Sequence, residues 1–516
     1  MTNITPVSPE VTTSPVYRIE GQRDRWIYPN ERLTPSNTEI LRDINLSEQG
    51  IATVRSGYVD YNATSLAENI LGMVQQEYTT GTFELVVTPT KVYIDNGTTQ
   101  TDITGTLTLS AGANDYYRFA FIKDQIVATN GSDEVWVKDN DFSAPTNATA
   151  LTGMPFTKCD DLIEHKGILL AFGPTESAVD YPTRVRWCDI DTRTNTVDIT
   201  DWPATFYTEV YEGGTPILGA VDNFGRVLVF KSDGLYPGQL DVQDGFIQFT
   251  TSEQEVKRGF HPIAKNSLIA RPEFVFGVAR EGAFVITPDL QYRLITFDNQ
   301  PGWKALNQTR LANAVSYIRE DDHQIRTLLN SASSSTGHDV EMVWDWETDD
   351  LWFDRPTDSI NYASRVVLLS VEYGWWGEVS GKTFKADTGK TDDGLSFGWQ
   401  IKMAPNDLGY PGKQKTIVDF ITIYDYADGQ TSAALTLYRD RGRKSSFTST
   451  VELSTPGLVW NDGTTSWNDG TLWGGGSVNA QDTPFVNLQA ETITPEWTGN
   501  SPAKIVGYQA RFIVLE

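Results

Sequence analysis

Chemistry that depends on cysteine and histidine has little to build on in this sequence. The two cysteines, Cys159 and Cys188, are 29 positions apart and show no C-x-x-C or Cys/His spacing, so we expect reduced or buried thiols rather than a zinc or redox centre. The four histidines form no H-x-x-x-H or H-E-x-x-H pair and are expected to be isolated surface or turn residues. They are His165, His261, His323 and His338.

Other local patterns of enzymes and membrane proteins are missing as well. No apolar run reaches the roughly 18 residues that a membrane span needs. No G-x-S-x-G elbow precedes a helix, and no Walker-type glycine loop occurs. The first 21 residues lack a basic region and an apolar core, so they do not predict a secretory signal. An acidic loop lacks the D-x-D-x-D-G order of a calcium site. Its residues are Asp387, Asp392, Asp393 and Gly394.

Positive charge is scarce relative to negative charge. The chain has 41 Lys and Arg against 68 Asp and Glu, a net charge of −27. Phosphate backbones repel such a chain, which argues against sequence-specific recognition of nucleic acid. Two interpretations stay open: the charge serves solubility, or it lets nucleic acid slide past without adhering.

The composition favours strands and turns over helices. The chain has 15 Trp, 21 Tyr, 23 Phe and 42 Gly, and aromatic residues are typical of strands. Only Ser65–Gln76 shows apolar residues at helical spacing, which predicts one short helix at most.

A repeated strand–turn–strand unit predicts the architecture. Strand centres recur at intervals of 43 to 60 residues. We place them at Ile126, Leu169, Val229, Val275, Ile325 and Leu369. This spacing is typical of a β-propeller, in which a four-stranded sheet is repeated radially. A two-sheet sandwich with long connections is the alternative.

Two regions flank the repeats, so we predict three parts. Residues 1–60 are Pro- and Thr-rich and then extended, which indicates an N-terminal arm that needs a partner to order it. Residues 61–390 hold the propeller-like repeats. Residues 391–516 are predicted to form a C-terminal antiparallel β module. Its alternating strands are FGWQIKMAP, TIVDFITIYDYAD, AALTLYRDRG and AKIVGYQARFIVLE.

The acidic segment VWDWETDDLWF is one place where catalysis is conceivable, because a glycosidase needs two carboxyl groups. On a strand, Asp345, Glu347 and Asp349 alternate with Trp344 and Trp346. That alternation predicts a solvent face opposite a core face. No catalytic or cofactor-binding residue is predicted. Two glycines, Gly234 and Gly282, are predicted to lie in tight hairpin turns.

The pentapeptide WNDGT occurs twice, at 460–464 and 467–471. Asn-Asp-Gly tolerates positive φ angles, so each copy predicts a hairpin turn. A sialidase-type Asp box, S-x-D-x-G-x-T-W, does not fit, because Asp and Gly are adjacent here. Three tryptophans, Trp460, Trp467 and Trp473, are therefore candidate contact residues for a neighbouring subunit or a sugar.

Three segments together carry a family resemblance. EILRDINLSEQGIATVRSGYVDYN (39–62), with an R-x-G-Y element at Arg55–Tyr58, resembles the opening of tail hub or nozzle proteins of short-tailed phages (podoviruses). Residues 219–286 are similar to the middle of that family's propeller. Residues 390–424 and 505–516 look like its C-terminal module. The tryptophan-rich insert at 458–476 has no counterpart in the family pattern.

The resemblance implies a structural, non-enzymatic virion protein of the phage tail, assembled in the host cytoplasm. Six copies would form a ring below the portal and adaptor proteins and extend the DNA-ejection channel, through which genomic DNA passes without specific binding. The ring would also dock fibres or a tail tip. Two alternatives remain: a propeller glycosidase or lyase acting on host polysaccharide, and a carbohydrate-binding protein.

Overall fold

A computed structural model describes most of the chain. The described residues are 12–15, 17–18, 38–46, 52–78, 81–122, 124–139, 146–191, 196–210, 215–243, 246–251, 256–424, 432–439, 444–452, 479–483, 486–500 and 503–515. They fall into two compact units. The propeller unit comprises Gly57–Trp346 and Pro356–Gly389, and the terminal unit comprises Met1–Ser56, Glu347–Arg355 and Lys390–Glu516.

Strands are the main secondary structure of the described residues. In chain order the first are β1 (Thr12–Thr13), β2 (Tyr17–Arg18), β3 (Thr38–Arg42), β4 (Ile44–Leu46), β5 (Ala52–Val54), β6 (Tyr58–Asn62), β7 (Gly72–Tyr78), β8 (Gly81–Val87), β9 (Val92–Asp95), β10 (Gln100–Asp102), β11 (Arg118–Ile122), β12 (Gln125–Thr129), β13 (Trp136–Asp139), β14 (Thr149–Ala150), β15 (Asp161–His165) and β16 (Ile168–Phe172). Next come β17 (Thr175–Glu176), β18 (Val179–Asp180), β19 (Arg184–Trp187), β20 (Asp189–Asp191), β21 (Thr196–Asp198), β22 (Tyr207–Glu209), β23 (Ile217–Asn223), β24 (Arg226–Lys231), β25 (Gly234–Gln243), β26 (Phe246–Thr251), β27 (Lys257–Arg258), β28 (Pro262–Arg271), β29 (Phe274–Ala279), β30 (Ala283–Ile286) and β31 (Tyr292–Leu294).

The second half of the chain contains the described helical turns and the remaining strands. The turns are two 3₁₀ helices at Phe297–Asn299 and Leu311–Asn313 and the α-helix α1 (Gln300–Lys304). The strands are β32 (Val315–Arg319), β33 (Gln324–Leu329), β34 (Val340–Asp345), β35 (Leu351–Asp354), β36 (Ile360–Leu368), β37 (Val371–Glu378), β38 (Thr383–Ala386), β39 (Trp399–Met403), β40 (Lys415–Tyr424), β41 (Ser432–Arg439), β42 (Lys444–Glu452), β43 (Asn479–Thr483), β44 (Leu488–Ala490), β45 (Ile493–Gly499) and β46 (Lys504–Val514).

Consecutive antiparallel sheets make up the propeller unit. Six of them have four or five strands, in the orders β10-β9-β8-β7, β11-β12-β13-β14, β15-β16-β19-β22, β23-β24-β25-β26 with β27 beside β25, β28-β29-β30-β31, and β36-β37-β38-β6. Within this unit β32, β33 and β34 add a further three-stranded set between the fifth and sixth of these sheets. The prediction of an all-β chain with a β-propeller is confirmed.

The sheets are arranged as a closed ring. Their first strands contact one another in sequence, from β11 to β15, β23, β28, β32, β36 and β7. The segments leading into β7 and β11 then meet, because the Tyr117 N–H donates to the Leu71 carbonyl at 2.9 Å. The last sheet is completed by β6, an early strand, which pairs with β38 from Tyr58–Ala386 to Asn62–Thr383. One early strand therefore closes the ring.

Burial explains why the sequence shows the repeat so clearly. The second strand of a sheet has neighbours on both sides, and in β12, β16, β24, β29 and β33 it is buried on both faces, so it is rich in apolar residues. Five of the six predicted centres lie in such strands. These are Ile126 in β12, Leu169 in β16, Val229 in β24, Val275 in β29 and Ile325 in β33. The cores lie between neighbouring sheets: one cluster joins Leu85, Trp136 and Val366.

Two local predictions in this unit are wrong. The predicted helix at Ser65–Gln76 is an irregular segment followed by β7, because Met73, Val74 and the residues after them pair along β8. Tertiary pairing here overrides a weak helical pattern. The predicted centre Leu369 lies in the turn between β36 and β37 and is 99% exposed.

Both predicted turn glycines do lie at hairpins. Gly234 follows the turn that joins β24 to β25, and a Cβ atom there would lie 2.1 Å from the Lys257 carbonyl oxygen. At Gly282, a Cβ atom would lie 2.0 Å from the Thr296 hydroxyl oxygen. A larger residue at Gly234 would collide with the backbone of Lys257, and one at Gly282 would displace the Thr296 side chain.

Strands from distant parts of the chain build the terminal unit. One sheet has the order β4-β5-β46-β40-β43, with β1 and β2 paired to β46 and β44 paired to β40. The second contains β35-β3-β39-β45-β41-β42. The four predicted antiparallel strands of 391–516 correspond to β39, β40, β41 and β46. The described residues of the predicted arm contribute β1 to β5 to these sheets.

Candidate functional site

The three candidate contact tryptophans, Trp460, Trp467 and Trp473, lie outside the described residues. The candidate acidic residues, histidines and cysteines all lie within the described residues.

The acidic segment does not form the predicted alternating strand. β34 ends at Asp345, which is buried and lies opposite Gln324. Glu347 and Asp349 are exposed in the turn that follows, and Asp349 has a φ of 60°. The prediction of a shared solvent face is wrong, because the chain turns before the second carboxylate is reached.

The prediction that all four histidines are surface or turn residues is wrong for two of them. His165 and His338 are 1% and 0% exposed. The His165 Nδ1 atom lies 3.0 Å from a carboxylate oxygen of Asp222. Burial lowers the pKa of His338 to about 3, so this ring is neutral at physiological pH. His261 is half exposed and pairs with Glu281, and His323 occupies a turn with a φ of 55°.

Both cysteines are buried free thiols, as predicted. Burial raises the pKa of Cys159, and the Cys188 sulfur accepts a hydrogen bond from the Leu169 N–H at 3.3 Å. The raised pKa leaves the Cys159 thiol protonated and unreactive.

Two of the acidic loop residues are held by arginines in separate units. In the propeller unit, Asp387 lies 2.8 Å from Arg326 and also pairs with Arg319. Burial opposes the charged form, but these two guanidinium groups hold the pKa of Asp387 below its usual value. In the terminal unit, Asp392 binds Arg55. The two carboxylates thus stabilise separate parts of the fold.

Arg55, the first residue of the R-x-G-Y element, is buried in the terminal unit. Its Nε atom donates to Asp43 at 2.7 Å, and its two terminal nitrogens donate to both oxygens of Asp392 at 2.8 and 2.7 Å. The guanidinium carbon lies 3.9 Å from the ring centroid of Phe397. Burial alone disfavours the charge, yet Asp392 and Asp43 raise the pKa of Arg55. Such bidentate pairing fixes position as well as charge.

Tyr58, the last residue of the element, fixes the closing strand of the propeller. Its hydroxyl donates to Asp358 Oδ2 at 2.7 Å and accepts from the Asp358 N–H at 3.0 Å. Its ring packs against Trp376 and Phe384 at centroid distances of 5.2 and 5.0 Å. β6 is thereby fastened to the sheet through its side chain as well as its backbone.

A charged cluster lies where the first strands of the propeller meet. The Arg118 Nε atom donates to Asp161 Oδ1 at 3.0 Å, joining β11 to β15. The other oxygen of Asp161 accepts the Ala220 N–H of β23 at 2.8 Å. Burial disfavours the Arg118 charge, but Asp161 outweighs it and raises the pKa of the guanidinium. Two side chains thus link three sheets.

Lys265 of β28 and Asp160 complete this central cluster. The Lys265 Nζ atom donates to the Asp160 carbonyl at 2.9 Å. Burial lowers the pKa of Lys265 and raises that of Asp160. The Asp160 carboxylate lies against Gly173, where a Cβ atom would be 2.3 Å from Oδ2. Only glycine leaves room for the carboxylate there.

Sequence reasoning missed this central cluster. Its members come from three sheets, with Arg118 in β11, the adjacent Asp160 and Asp161 at the start of β15, and Lys265 in β28, and 147 positions separate Arg118 from Lys265. No local pattern marks them. The one signal in the sequence was the position of these charged residues, which lie next to apolar segments that predict buried strands.

Comparisons with known proteins give fold-level likeness. No protein-family model matches the chain, and no curated protein matches its sequence. The chain is similar to the Neurospora crassa Pan2 WD40 domain (10% identity, 67% of this chain and 99% of that one, TM-score 0.39). It is also similar to BBS1N in complex with ARL6DN (10%, 66% and 99%, TM-score 0.40) and to BamB from Moraxella catarrhalis (12%, 73% and 97%, TM-score 0.34). The strand pairing of the chain itself remains the basis for the architecture.

The described residues include no helix that is both long and apolar enough to cross a membrane.

Proposed function

We propose that this chain is a structural protein of a short phage tail, in which six copies form a ring below the portal and adaptor proteins. The observation that carries the proposal is the placement of the Arg55–Tyr58 element. This element carries part of the resemblance to tail hub proteins, and both of its end residues are built into the architecture. One organises the terminal unit, and the other closes the propeller.

The charges of the propeller support a scaffold role. Arg118 and Asp161 bind neighbouring sheets together, and Arg319 and Arg326 hold Asp387 between β32, β33 and the end of β38. Buried ion pairs of this kind fix geometry, and loss of one partner is costly. A ring that transmits a genome needs subunits of fixed shape.

The net charge of −27 suits a protein that genomic DNA passes without binding. Phosphate repulsion weakens adhesion most at low salt. Fibres or a tail tip are the further partners that this role requires, and the virion tail is its location.

Particle mass tests the proposal. Six chains of 57.5 kDa give a particle of about 345 kDa, six times the chain mass, measurable by light scattering after gel filtration with and without portal and adaptor proteins. A chain that stays monomeric at high concentration in both settings contradicts the proposal. Electrophoretic retardation of DNA by the assembled ring at low salt would contradict the sliding role.

The central cluster favours a second candidate, catalysis on host polysaccharide. It offers a carboxyl group and an amine with pKa values shifted toward each other, which is the arrangement of acid–base sites. Sugar release from host surface polysaccharide by the wild type, lost in Asp160→Asn and Lys265→Met, would support it. No release by the wild type would reject it.

A further inference from the structure

The turn between β36 and β37 presents an apolar tip to solvent. Leu369 is 99% exposed, and its neighbours Val367 and Val371 are 39% and 47% exposed. We call these three residues the hairpin tip. Val367 and Val371 lie on opposite faces of the hairpin, because Val367 pairs with Glu372 and Val371 with Leu368. The tip therefore presents an apolar side chain on each of its faces and a third in its turn.

The turn itself is strained. Leu369 and Ser370 have φ angles of 53° and 65°, the two left-handed residues of a two-residue hairpin turn. Asn-Gly is the usual pair there, and a leucine in this conformation is rare. A strained residue that is also apolar and fully exposed points to a role outside its own chain.

Side chains of the first sheet hold the hairpin in place. The Gln75 amide accepts from the Val367 N–H at 2.6 Å and donates to the Val367 carbonyl at 3.0 Å, as a neighbouring strand would. The same amide donates to Glu84 at 3.1 Å, and Glu84 accepts the Tyr61 hydroxyl at 2.5 Å. The tip is thus presented at a fixed position and loses little freedom on binding.

A second exposed hairpin, formed by β17 and β18, lies between the second and third strands of the third sheet. Its turn, Ser177–Ala178, has φ angles of 48° and 65°, and Val179 is 52% exposed. Glu176, paired with Val179, binds Arg184 at 2.9 Å. The Arg184 guanidinium lies 4.3 Å from the ring centroid of Tyr207, which is 42% exposed. We call Val179 and Tyr207 the β17–β18 patch.

The two features point from opposite faces of the propeller. The hairpin tip joins the first and second strands of its sheet, whereas β17 and β18 lie between the second and third strands of theirs. In a propeller the first strand of every sheet runs in the same direction along the axis, and the second strand returns. Connections between first and second strands therefore lie at one end of the axis, and connections between second and third strands lie at the other. Exposed Arg365 lies beside the tip, and exposed Asp180 lies beside the patch. The tip edge thus carries a guanidinium group, which Glu372 binds at 3.3 Å, and the patch edge carries a carboxylate, so the two edges bear charges of opposite sign.

We infer that the hairpin tip of one copy docks on the β17–β18 patch of the next copy, head to tail. The inference rests on the proposed ring and names its contact. Such a heterologous contact closes into a ring when the rotation between copies divides a full turn. Leu369 is its central anchor, because the most exposed apolar side chain gains most from burial.

Single and mixed variants test the contact. Leu369→Asp and Val179→Asp should each weaken assembly by about 30-fold or more, as expected of central anchors, measured by light scattering across a concentration series. An equimolar mixture should form a 1:1 dimer, because each variant keeps one intact surface. Leu395→Asp, at a 60% exposed leucine of the terminal unit, is the matched control and should assemble as the wild type does.

A double variant separates docking from folding. Leu369→Asn with Ser370→Gly relieves the turn strain while removing the apolar anchor, so the melting temperature should rise while assembly is lost. If the wild type forms rings and either Leu369→Asp or Val179→Asp assembles equally well, this inference is overturned and the proposed ring is not. A mixture that stays monomeric overturns the head-to-tail arrangement. A wild type that is monomeric in every setting overturns the inference and the proposed ring together.

Discussion

The propeller unit and the terminal unit reach the same all-β state by opposite routes. In the propeller unit nearly every strand pairs with a neighbour in sequence, and β6 is the long-range exception. In the terminal unit β1, β2 and β5 pair with β46, and β3 pairs with β39. Local pairing allows each propeller sheet to form early, whereas the terminal sheets require closure of loops hundreds of residues long.

This difference places unequal demands on side chains. The propeller distributes its stabilisation over many similar sheets, with apolar clusters between them. The terminal unit gathers Asp43 and Asp392 around the single guanidinium group of Arg55. We therefore expect single substitutions to be most damaging in the terminal unit.

The largest effect is expected for Arg55→Met. It leaves the carboxylates of Asp43 and Asp392 buried without their shared cation, which costs about 3–5 kcal/mol of unfolding free energy. Hydrogen exchange should show lost protection in β3, β5 and β39, with the propeller strands still protected. Arg511→Met, which breaks a pair with Asp419 that is 39% and 17% exposed, serves as the control and should cost about 1 kcal/mol or less. A similar loss of unfolding free energy in both variants would show that the buried Arg55 cluster stabilises the terminal unit no more than a surface ion pair does.

Acidification should next affect the propeller unit through His338. Its folded pKa of about 3 lies below the ordinary 6.5, so as the pH falls below about 6.5 the unfolded chain binds a proton that the folded chain excludes. Unfolding free energy should fall by about 1.4 kcal/mol per pH unit, or about 2 kcal/mol at pH 5.

The measurement is urea unfolding between pH 7 and pH 5 for the wild type and His338→Gln. Other titrating groups contribute to both proteins, so the difference in slope isolates His338. Parallel slopes for the two proteins would show that the buried ring does not resist protonation.

A smaller effect is expected at the propeller closure. Tyr58→Phe keeps the ring packing but deprives the Asp358 N–H and carboxylate of their partner, at a cost of about 1–2 kcal/mol. Lys382→Met removes an exposed pair with Asp60 of the same strand, β6, and should cost less than about 0.5 kcal/mol. Thermal unfolding monitored by tryptophan fluorescence gives both values. Equal shifts would mean that the hydroxyl contributes nothing beyond a surface contact.

The fold could be predicted from the sequence because buried second strands appear there as runs of apolar residues. Their apolar runs mark Leu169 or Val229 without knowledge of partners. The first sheet was missed, because Leu66, Ile70 and Val74 fit a helical period, although Leu66 and Ile70 precede β7 and only Val74 lies in it. Leu369 was misplaced, because a leucine in a left-handed turn violates the preference on which turn prediction depends.

The central cluster was out of reach for a different reason. Arg118, Asp161 and Lys265 become neighbours only when their sheets pack together. Their contacts depend on how neighbouring sheets pack, and the spacing of these residues along the chain does not predict that packing. The acids of VWDWETDDLWF, adjacent in sequence, are instead divided by the end of β34.

The closing strand β6 has a consequence for synthesis. Its partner β38 ends at Ala386, 328 residues after Tyr58. At a translation rate of about 5–20 residues per second, β6 waits on the order of 16–66 seconds for that partner. During this interval a nascent chain carries an unsatisfied strand at one end of a growing, open circle of sheets. A chain truncated before residue 383 would lack β38 and would expose two unpaired strand edges, which chaperones and proteases recognise.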